Sequence, residues 1–270
     1  MLELYHHGSS ACATKARLTL DEKGVPWESR YIDILKSEQF TAEYARLNPK
    51  CVVPTLVHDG HVVRESTVIC EYVDEVFDGP SLVPDDPLMR AEMRLWTKMV
   101  DEDLHPATQV VTFAASHRVG ALKKTKEEFD FYINSIPDPV RRARKRSAIV
   151  DGWKSPEATN ALLTFNKAIK WMEDSLGKWT WLAGDGYSLA DIAMTIYLNR
   201  LHILSMSPMW EGKFPKVSAF WETVSARPSF QPAIYDWLPG ELENEMRANG
   251  AQSWPEAEAL LAELEREKAA

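Results

Sequence analysis

Ser9, Ser10 and Cys12 stand together just ahead of a run that reads as helix, and two hydroxyls and a thiol at a helix start are groups able to handle an anion. The first turn of a helix carries unpaired N–H groups and roughly half a positive charge. That environment favours a thiolate over a thiol. A hydroxyl in the same turn can donate a hydrogen bond to the sulfur, and bonds to charged groups contribute about 1.5–3 kcal/mol. At about 1.4 kcal/mol per pKa unit, one such bond lowers the pKa of a bound thiol by about 1 to 2. A thiol that titrates somewhat above neutrality is then substantially ionised at pH 7. The same residues also suit a plain N-cap, so the triplet by itself leaves both roles open.

A second group of residues lies further along. Pro54 falls in a run that otherwise reads as strand, where proline removes a ladder donor. A cis bond at Val53-Pro54 would expose the Val53 backbone for pairing with an extended peptide. Glu65 at a strand end and Ser66 at a helix start could hold an ammonium and a carboxylate, the head group of one α-amino acid. A strand beginning at proline and an ordinary serine cap would use the same residues. The run Arg141-Arg142-Ala143-Arg144-Lys145-Arg146 is basic enough for phosphates but has no interleaved aromatics, and it reads as a solvated helix face. His6 and His7 do not suggest a metal, because neighbours on a strand point to opposite faces. Cys12, Cys51 and Cys70 have neither CxxC nor zinc-like spacing and give no disulfide framework, which suits a reducing cytoplasm.

These residues need a scaffold. Leu2 to His6 reads as a strand, Thr14 to Lys23 as a helix stopped by Gly24, and Trp27 to Ile34 as a second strand. Glu38 to Leu47 reads as a short helix. Val52 to His58 and His61 to Glu65 flank Asp59-Gly60, a two-residue hairpin signal. Ser66 opens a helix to Phe77. The order is β-α-β-α-β-β-α, with strands joined through a helix parallel and the hairpin antiparallel. Past a turn-rich linker at 80–87 the pattern is helical. Leu88 to Leu104, Pro156 to Leu176, a helix opened by Ser188 with Asp191 in a capping box and running to Leu204, and Pro215 to Arg227 are the principal helices. Between Leu104 and Pro156 an irregular stretch is expected, with short helices near 125–135 and 139–150. Pro255 is expected to cap a last helix in a Glu/Ala-rich tail. Trp96, Trp171, Trp179, Trp181 and Trp221 read as core aromatics.

The chain of 270 residues is long enough for two domains. Its net charge of −9 opposes an extended nucleic-acid surface and favours solubility. No apolar run reaches the roughly 20 residues of a membrane span, and no secretory signal is visible at MLELYHHGSS. The organisation expected is 1–79 as one domain, 80–87 as a linker, 88–236 as an all-helical domain and 237–270 as a helical extension.

Taken in order, the motifs resemble the glutathione transferase superfamily over residues 1–235. They are Glu22-Lys23-Gly24, Asn48-Pro49 with Val53-Pro54, Glu65-Ser66-Thr67-Val68-Ile69, Gly186 to Asp191, and Phe214-Pro215-Lys216 through Ala226-Arg227-Pro228. The stretch Glu65 to Phe77, the segment Arg90 to Arg94 and the basic insertion look like bacterial glutathione-dependent β-aryl etherases of lignin degradation and related fungal transferases. The resemblance implies a thioredoxin-like α/β N-terminal domain binding glutathione and an all-α C-terminal bundle shaping a pocket for a hydrophobic aromatic substrate. It implies that Val53, before a cis Pro54, pairs with the cysteinyl unit, that Glu65 and Ser66 hold the γ-glutamyl end, and that Gln39 reaches the glycyl carboxylate, with Lys50 as a second candidate. It also implies a homodimer. Counting back from Arg17 aligns Ser10 with the sulfur-activating residue. Counting back from Gly24 against shorter beta-class enzymes selects Cys12, and Ser9 lies in the same loop. Ser10 is preferred here, because the hydroxyl nearest the helix end meets it best. A serine would leave glutathione's own thiolate to attack an electrophile. Cys12 would instead predict thiol-dependent reduction or lyase chemistry, and a non-catalytic ligand carrier is the reading from outside enzymes.

Overall fold

The computed structural model describes residues 1–269. Strand β1 (Leu2–His6), helix α1 (Ala11–Lys23), β2 (Glu28–Tyr31), α2 (Ala42–Leu47), β3 (Thr55–His58), β4 (His61–Arg64) and α3 (Ser66–Val76) follow in the expected order. The sheet order is β2-β1-β3-β4. β1 and β2 are parallel, and β3 runs antiparallel to both β1 and β4. This is the small mixed sheet of a thioredoxin-like domain. Asp59 and Gly60 both take positive φ, 48° and 82°, as a two-residue hairpin turn requires.

Side chains alternate across β1. Leu2 and Leu4 join Ala16, Leu20, Leu56, Ile69 and Val73 in one buried cluster, which packs α1 and α3 on one face. Tyr5, on the opposite face, packs with Ala13, Tyr44 and Val53. α1 stops at Gly24, whose φ of 68° is the left-handed cap that glycine accepts without strain. The expected helix over Glu38 to Leu47 is broken: Glu38–Phe40 is a 3₁₀ turn, and Thr41 then caps α2 by accepting the Tyr44 N–H.

The later elements are α4 (Pro87–Met99), a π-helical segment Val100–Leu104, α5 (His105–Thr112), a second π segment Phe113–His117, α6 (Arg118–Ala121), α7 (Lys126–Asn134), α8 (Pro139–Val150), α9 (Pro156–Leu176), α10 (Leu189–Ile203), α11 (Pro215–Ser225), α12 (Phe230–Ile234) and α13 (Gly240–Ala269). The chain groups into two compact units. The first contains Met1–Lys98, Ser175–Ile196 and Phe220–Pro239; the second contains Met99–Asp174, Tyr197–Ala219 and the chain from Gly240 onward.

Three expectations are corrected. The expected short helices near 125–135 and 139–150 are α7 and α8, but the chain from Leu104 to Ala121 is also helical rather than irregular. Pro106 sits in the first turn of α5 directly after a π segment, where the bonding pattern changes and a missing N–H is tolerated. Pro255 does not cap a helix but lies inside α13. It leaves the Ala251 carbonyl without a helical donor, and Ala251 is exposed to water, while Met246, Ala257 and Leu261 anchor the helix on both sides of it. Of the five tryptophans expected in the core only Trp96 is fully buried; Trp153 and Trp210 are the other deeply buried ones. The periodicity around Trp171 and Trp221 marked one helix face without showing how deep that face lies.

The basic run forms α8, and it is used in packing. In the second unit Lys145 places its ammonium 4.6 Å from the centre of the Phe113 ring and 4.3 Å from that of Tyr132. Burial, then Arg141, lowers its pKa to about 7. Arg142 donates to the Ile136 carbonyl, and Arg146 pairs with Asp130 at 3.4 Å.

Candidate functional site

Strand register alone gathers the candidate residues at one end of the sheet. His6 pairs with Tyr31, Tyr5 with Thr55, and Thr55 with Arg64. The segments that leave those positions are therefore neighbours: His7 to Ser10 after β1, Asp33 after β2, Val53-Pro54 before β3 and Glu65-Ser66 after β4. Helix α1 begins at this end. α3 begins there too, tied to α1 by Lys15, which donates to the Thr67 hydroxyl at 2.7 Å.

At the start of α1, Ser10 is the N-cap, with φ −80° and ψ 115°. Its Oγ accepts the Ala13 N–H at 3.3 Å, and its carbonyl accepts from the Thr14 N–H and hydroxyl at 2.8 and 2.9 Å. Accepting through Oγ uses a lone pair and leaves the hydroxyl proton able to turn outward. Cys12 lies in the same first turn and is half-buried. Ser9 is buried and placed differently. Its N–H donates to His7 Nδ1 at 3.1 Å, and its Oγ lies 3.0 Å from the same nitrogen. A nitrogen that accepts a backbone N–H carries no proton. The Ser9 hydroxyl must therefore be the donor to it.

The loop that presents these residues is held by Arg17, a fully buried guanidinium. It donates to the carbonyls of His7 at 3.1 Å, Gly8 at 3.3 Å and Ala233 at 2.7 Å, and to the Thr14 hydroxyl at 2.9 Å. It also donates to His6 Nδ1 at 3.1 Å, which leaves Nε2–H to donate to the Ser29 hydroxyl at 2.8 Å. Burial, and then the Arg17 charge, lowers the His6 pKa to about 3, so His6 is neutral. Burial lowers the pKa of Arg17 itself to about 9, still a cation at neutral pH. Gly8 has no room for a side chain: a Cβ there would lie 1.9 Å from the Trp237 carbonyl oxygen.

The second arm is the loop before β3. The Val53-Pro54 bond is cis. The ladder with β1 begins at Thr55, so Val53 lies outside it. Tyr44 donates its hydroxyl to the Val52 carbonyl at 2.7 Å, and Asn48 donates to the same oxygen at 3.0 Å. Burial raises the Tyr44 pKa to about 12, keeping that donor protonated. Asn48 and Tyr44 are supports that sequence reasoning passed over, although Asn48-Pro49 had been noticed as a motif.

The third arm is Glu65-Ser66. Glu65 has φ 66° and ψ 117°, a conformation that L residues other than Asn or Asp seldom adopt. Ser66 follows as the buried first residue of α3. Lys50 brings its ammonium within 2.7 Å of Glu65 Oε1, so two of the residues proposed from sequence meet directly. Gln39 is buried in the 3₁₀ turn. Its Nε2 donates weakly to the Ile34 carbonyl at 3.5 Å, and its Oε1 has no hydrogen-bond partner among the described residues. His7, Arg17 and Asp33 carry no sequence signal of their own role, since each is local in sequence but acts through the folded loop.

Residues 9–76 match the family model described as Glutathione S-transferase, N-terminal domain, and residues 121–228 the one described as Glutathione S-transferase, C-terminal domain. Protein LigF of Sphingobium sp. strain SYK-6 is 36% identical over 236 residues, spanning 85% of this chain and 91% of LigF. The tetrachloro-p-hydroquinone reductive dehalogenase of Sphingobium chlorophenolicum is 28% identical over 250 residues, 88% of this chain and 98% of the enzyme. The crystal structure of β-etherase LigF superposes with a TM-score of 0.77 over 86% of this chain and 98% of that one.

Proposed function

The chain belongs to the glutathione S-transferase family, an enzyme family that works with glutathione, and from that premise we propose that it cleaves β-aryl ethers of hydrophobic aromatic compounds with a glutathione thiolate held at the start of α1. The observation that carries the reading is the shared architecture with β-etherase LigF across nearly the whole of that enzyme. The free hydroxyl proton of Ser10 at the helix N-terminus supports Ser10 as the group that donates to the sulfur. Val53 then pairs with the cysteinyl backbone, Glu65 and Ser66 take the γ-glutamyl head group, and Gln39 and Lys50 serve the glycyl carboxylate. Residues 1–79 form the glutathione domain and 88–236 the substrate domain, with 237–270 as an extension. The assembly is a cytoplasmic homodimer. Three cysteines without a disulfide among them suit a reducing compartment, and the exposed Val68, Leu88 and Leu95 are apolar surface available to a second copy.

The chemistry balances simply. The thiol loses its proton to solvent as the helix end and Ser10 stabilise the anion. Sulfur forms a bond to the carbon bearing the aryloxy group, made electrophilic by an adjacent ketone, while the C–O bond breaks. The electron pair leaves as a phenolate that takes up a proton, giving a thioether and a phenol. Incubation with glutathione and a model α-keto β-aryl ether tests this: equal amounts of phenol and thioether are expected, and neither product would remove the etherase assignment.

One observation favours a second reading. Cys12 is a half-buried thiol, in no disulfide, in the same first turn. If it were the reacting group, Cys12→Ser would abolish turnover and Ser10→Ala would not; the Ser10 reading expects the reverse.

A further inference from the structure

We infer that His7 decides which of two adjacent hydroxyls faces the glutathione sulfur, an inference that rests on the thiolate reading above. The in-plane lone pair of His7 Nδ1 receives both the N–H of Ser9, at 3.1 Å, and its hydroxyl, at 3.0 Å. The one proton Ser9 has is thereby turned toward the imidazole. Toward anything else its Oγ presents only lone pairs, which repel a thiolate. Ser10 has the complementary arrangement: its Oγ takes the Ala13 N–H through a lone pair, and its proton is the one able to reach outward. His7 is thus a positioning residue. It removes Ser9 from the donors available to the sulfur and leaves Ser10.

The tautomer that makes this possible has a carboxylate on the other side of the ring, at ion-pair rather than hydrogen-bond distance. With Nδ1 unprotonated the proton sits on Nε2, which lies 3.9 Å from Asp33 Oδ1. Asp33 is itself held, accepting the N–H groups of Leu35 and Lys36 at 3.0 and 3.2 Å and pairing with the Lys36 ammonium at 3.2 Å. Partial burial alone would raise its pKa, but these hydrogen bonds and the Lys36 charge bring it below the ordinary value, so it is ionised at neutral pH. Also against His7 are Tyr31, with ring centres 5.2 Å apart, His6, and Arg17, whose guanidinium lies 3.1 Å from the His7 carbonyl. A proton on Nδ1 would confront the Ser9 N–H, so the geometry makes this nitrogen an acceptor.

The test uses full-length protein and the ultraviolet absorbance of the thiolate to titrate bound glutathione. With His7 intact, Ser9→Ala should leave the bound thiol's pKa nearly unchanged, whereas Ser10→Ala should raise it by about 1 to 2. In the Ser10→Ala background, His7→Phe releases the Ser9 proton and should recover at least about half of that loss. His7→Asn, which keeps an acceptor, should not. Ser9→Ala acting as strongly as Ser10→Ala would overturn the assignment to His7, and so would a folded, glutathione-binding Ser10→Ala/His7→Phe protein without recovery. Should the Phe variant fail to fold, the Ser9 and Ser10 comparison decides alone. A bound thiol in the parent protein that titrates as it does free in solution would overturn the thiolate reading itself, and is told apart by needing no variant.

Discussion

Lys50 and Glu65 form an ion pair of 2.7 Å at the end of the sheet proposed to hold glutathione, and both are exposed. Exposed pairs contribute only about 0–1 kcal/mol to stability, since water and salt screen them. Glu65 is also held at a φ of 66°, a conformation worth about 1–3 kcal/mol of strain in a residue with a Cβ. Neither feature makes sense as reinforcement of the fold. Glu65→Gly should therefore leave the melting temperature within about 3 °C of the parent, relief of strain offsetting added chain entropy. The same change should raise KM for glutathione by about tenfold or more, because a charged hydrogen bond is lost. Lys50→Ala should raise KM by a smaller factor. A KM that does not move while melting temperature falls would make Glu65 a structural residue.

Arg17 makes a contrasting case, because its charge is wholly inside. Arg17→Met removes the donor to His6 Nδ1, to the carbonyls of His7, Gly8 and Ala233, and to Thr14. Each buried acceptor left unpaired costs about 1–3 kcal/mol. Allowing for relaxation, a loss of at least about 3 kcal/mol is expected, which lowers the melting temperature by about 6–12 °C in a chain of this size. Calorimetry on the pair of proteins measures it. A fall below about 2 °C would mean that the Ser9–Ser10 loop is held by something else.

The order of the N-terminal elements, the hairpin and the three segments of the candidate site were legible because each depends on local chemistry. Asp59-Gly60 has the turn residues a hairpin requires, Gly24 the cap a helix end requires, and Pro54 can sit in a strand only where the ladder is absent. What was not legible depends on who meets whom in three dimensions. Ser9 and Ser10 are chemically identical in the sequence; the fold separates their hydrogen bonds by placing His7 Nδ1 beside one and the Ala13 N–H beside the other. Arg17 reads as one more surface residue on a helix until the fold brings the Ala233 carbonyl to it. Between Leu104 and Pro156 the short helices near 125–135 and 139–150 were legible and are α7 and α8, but the helical path before them was not, because Pro106 and Gly120 read as breaks whereas π-helical bonding carries the backbone past the proline.

Asp191 gives stability a pH dependence whose sign is set by burial. It is fully buried, and burial raises its pKa to about 6 although three donors, from Leu182 N–H and from the N–H and hydroxyl of Ser188, partly offset this. In the unfolded chain an aspartate titrates near 3.9. Between about pH 4 and pH 6 the folded protein thus binds more protons than the unfolded one, and stability falls as pH rises through that window. The parent should gain up to about 3 kcal/mol from this group as pH drops from 7 to 4. Burial raises the Asp21 pKa to about 6 as well, so total stability carries both contributions. Urea unfolding of Asp191→Asn beside the parent isolates one of them: the difference between the two proteins should change with pH by that amount. A difference constant from pH 4 to pH 7 would show that Asp191 titrates near its ordinary value.

Two helical glycines of the second unit should respond in opposite directions to the same methyl group. Gly250 lies in α13 where that helix passes the chain just beyond the end of α10, and a Cβ there would stand 2.1 Å from the Leu204 carbonyl oxygen. Backbone cannot move aside as a side chain can, so Gly250→Ala must push the two helices apart or unravel a turn. Overpacking of this kind typically costs about 1–3 kcal/mol or more. Gly120, in α6, has only the Glu245 carboxylate near its ideal Cβ, at 3.9 Å, and its φ is not positive. There the methyl meets open space and restricts the unfolded chain, so Gly120→Ala should stabilise by about 0.4–1 kcal/mol. Paired urea titrations of the two variants check both signs at once. If Gly250→Ala were as stable as the parent, the close approach of α13 to Leu204 would not exist in solution. If Gly120→Ala were destabilised, the α6 turn would need a freedom its backbone angles do not display.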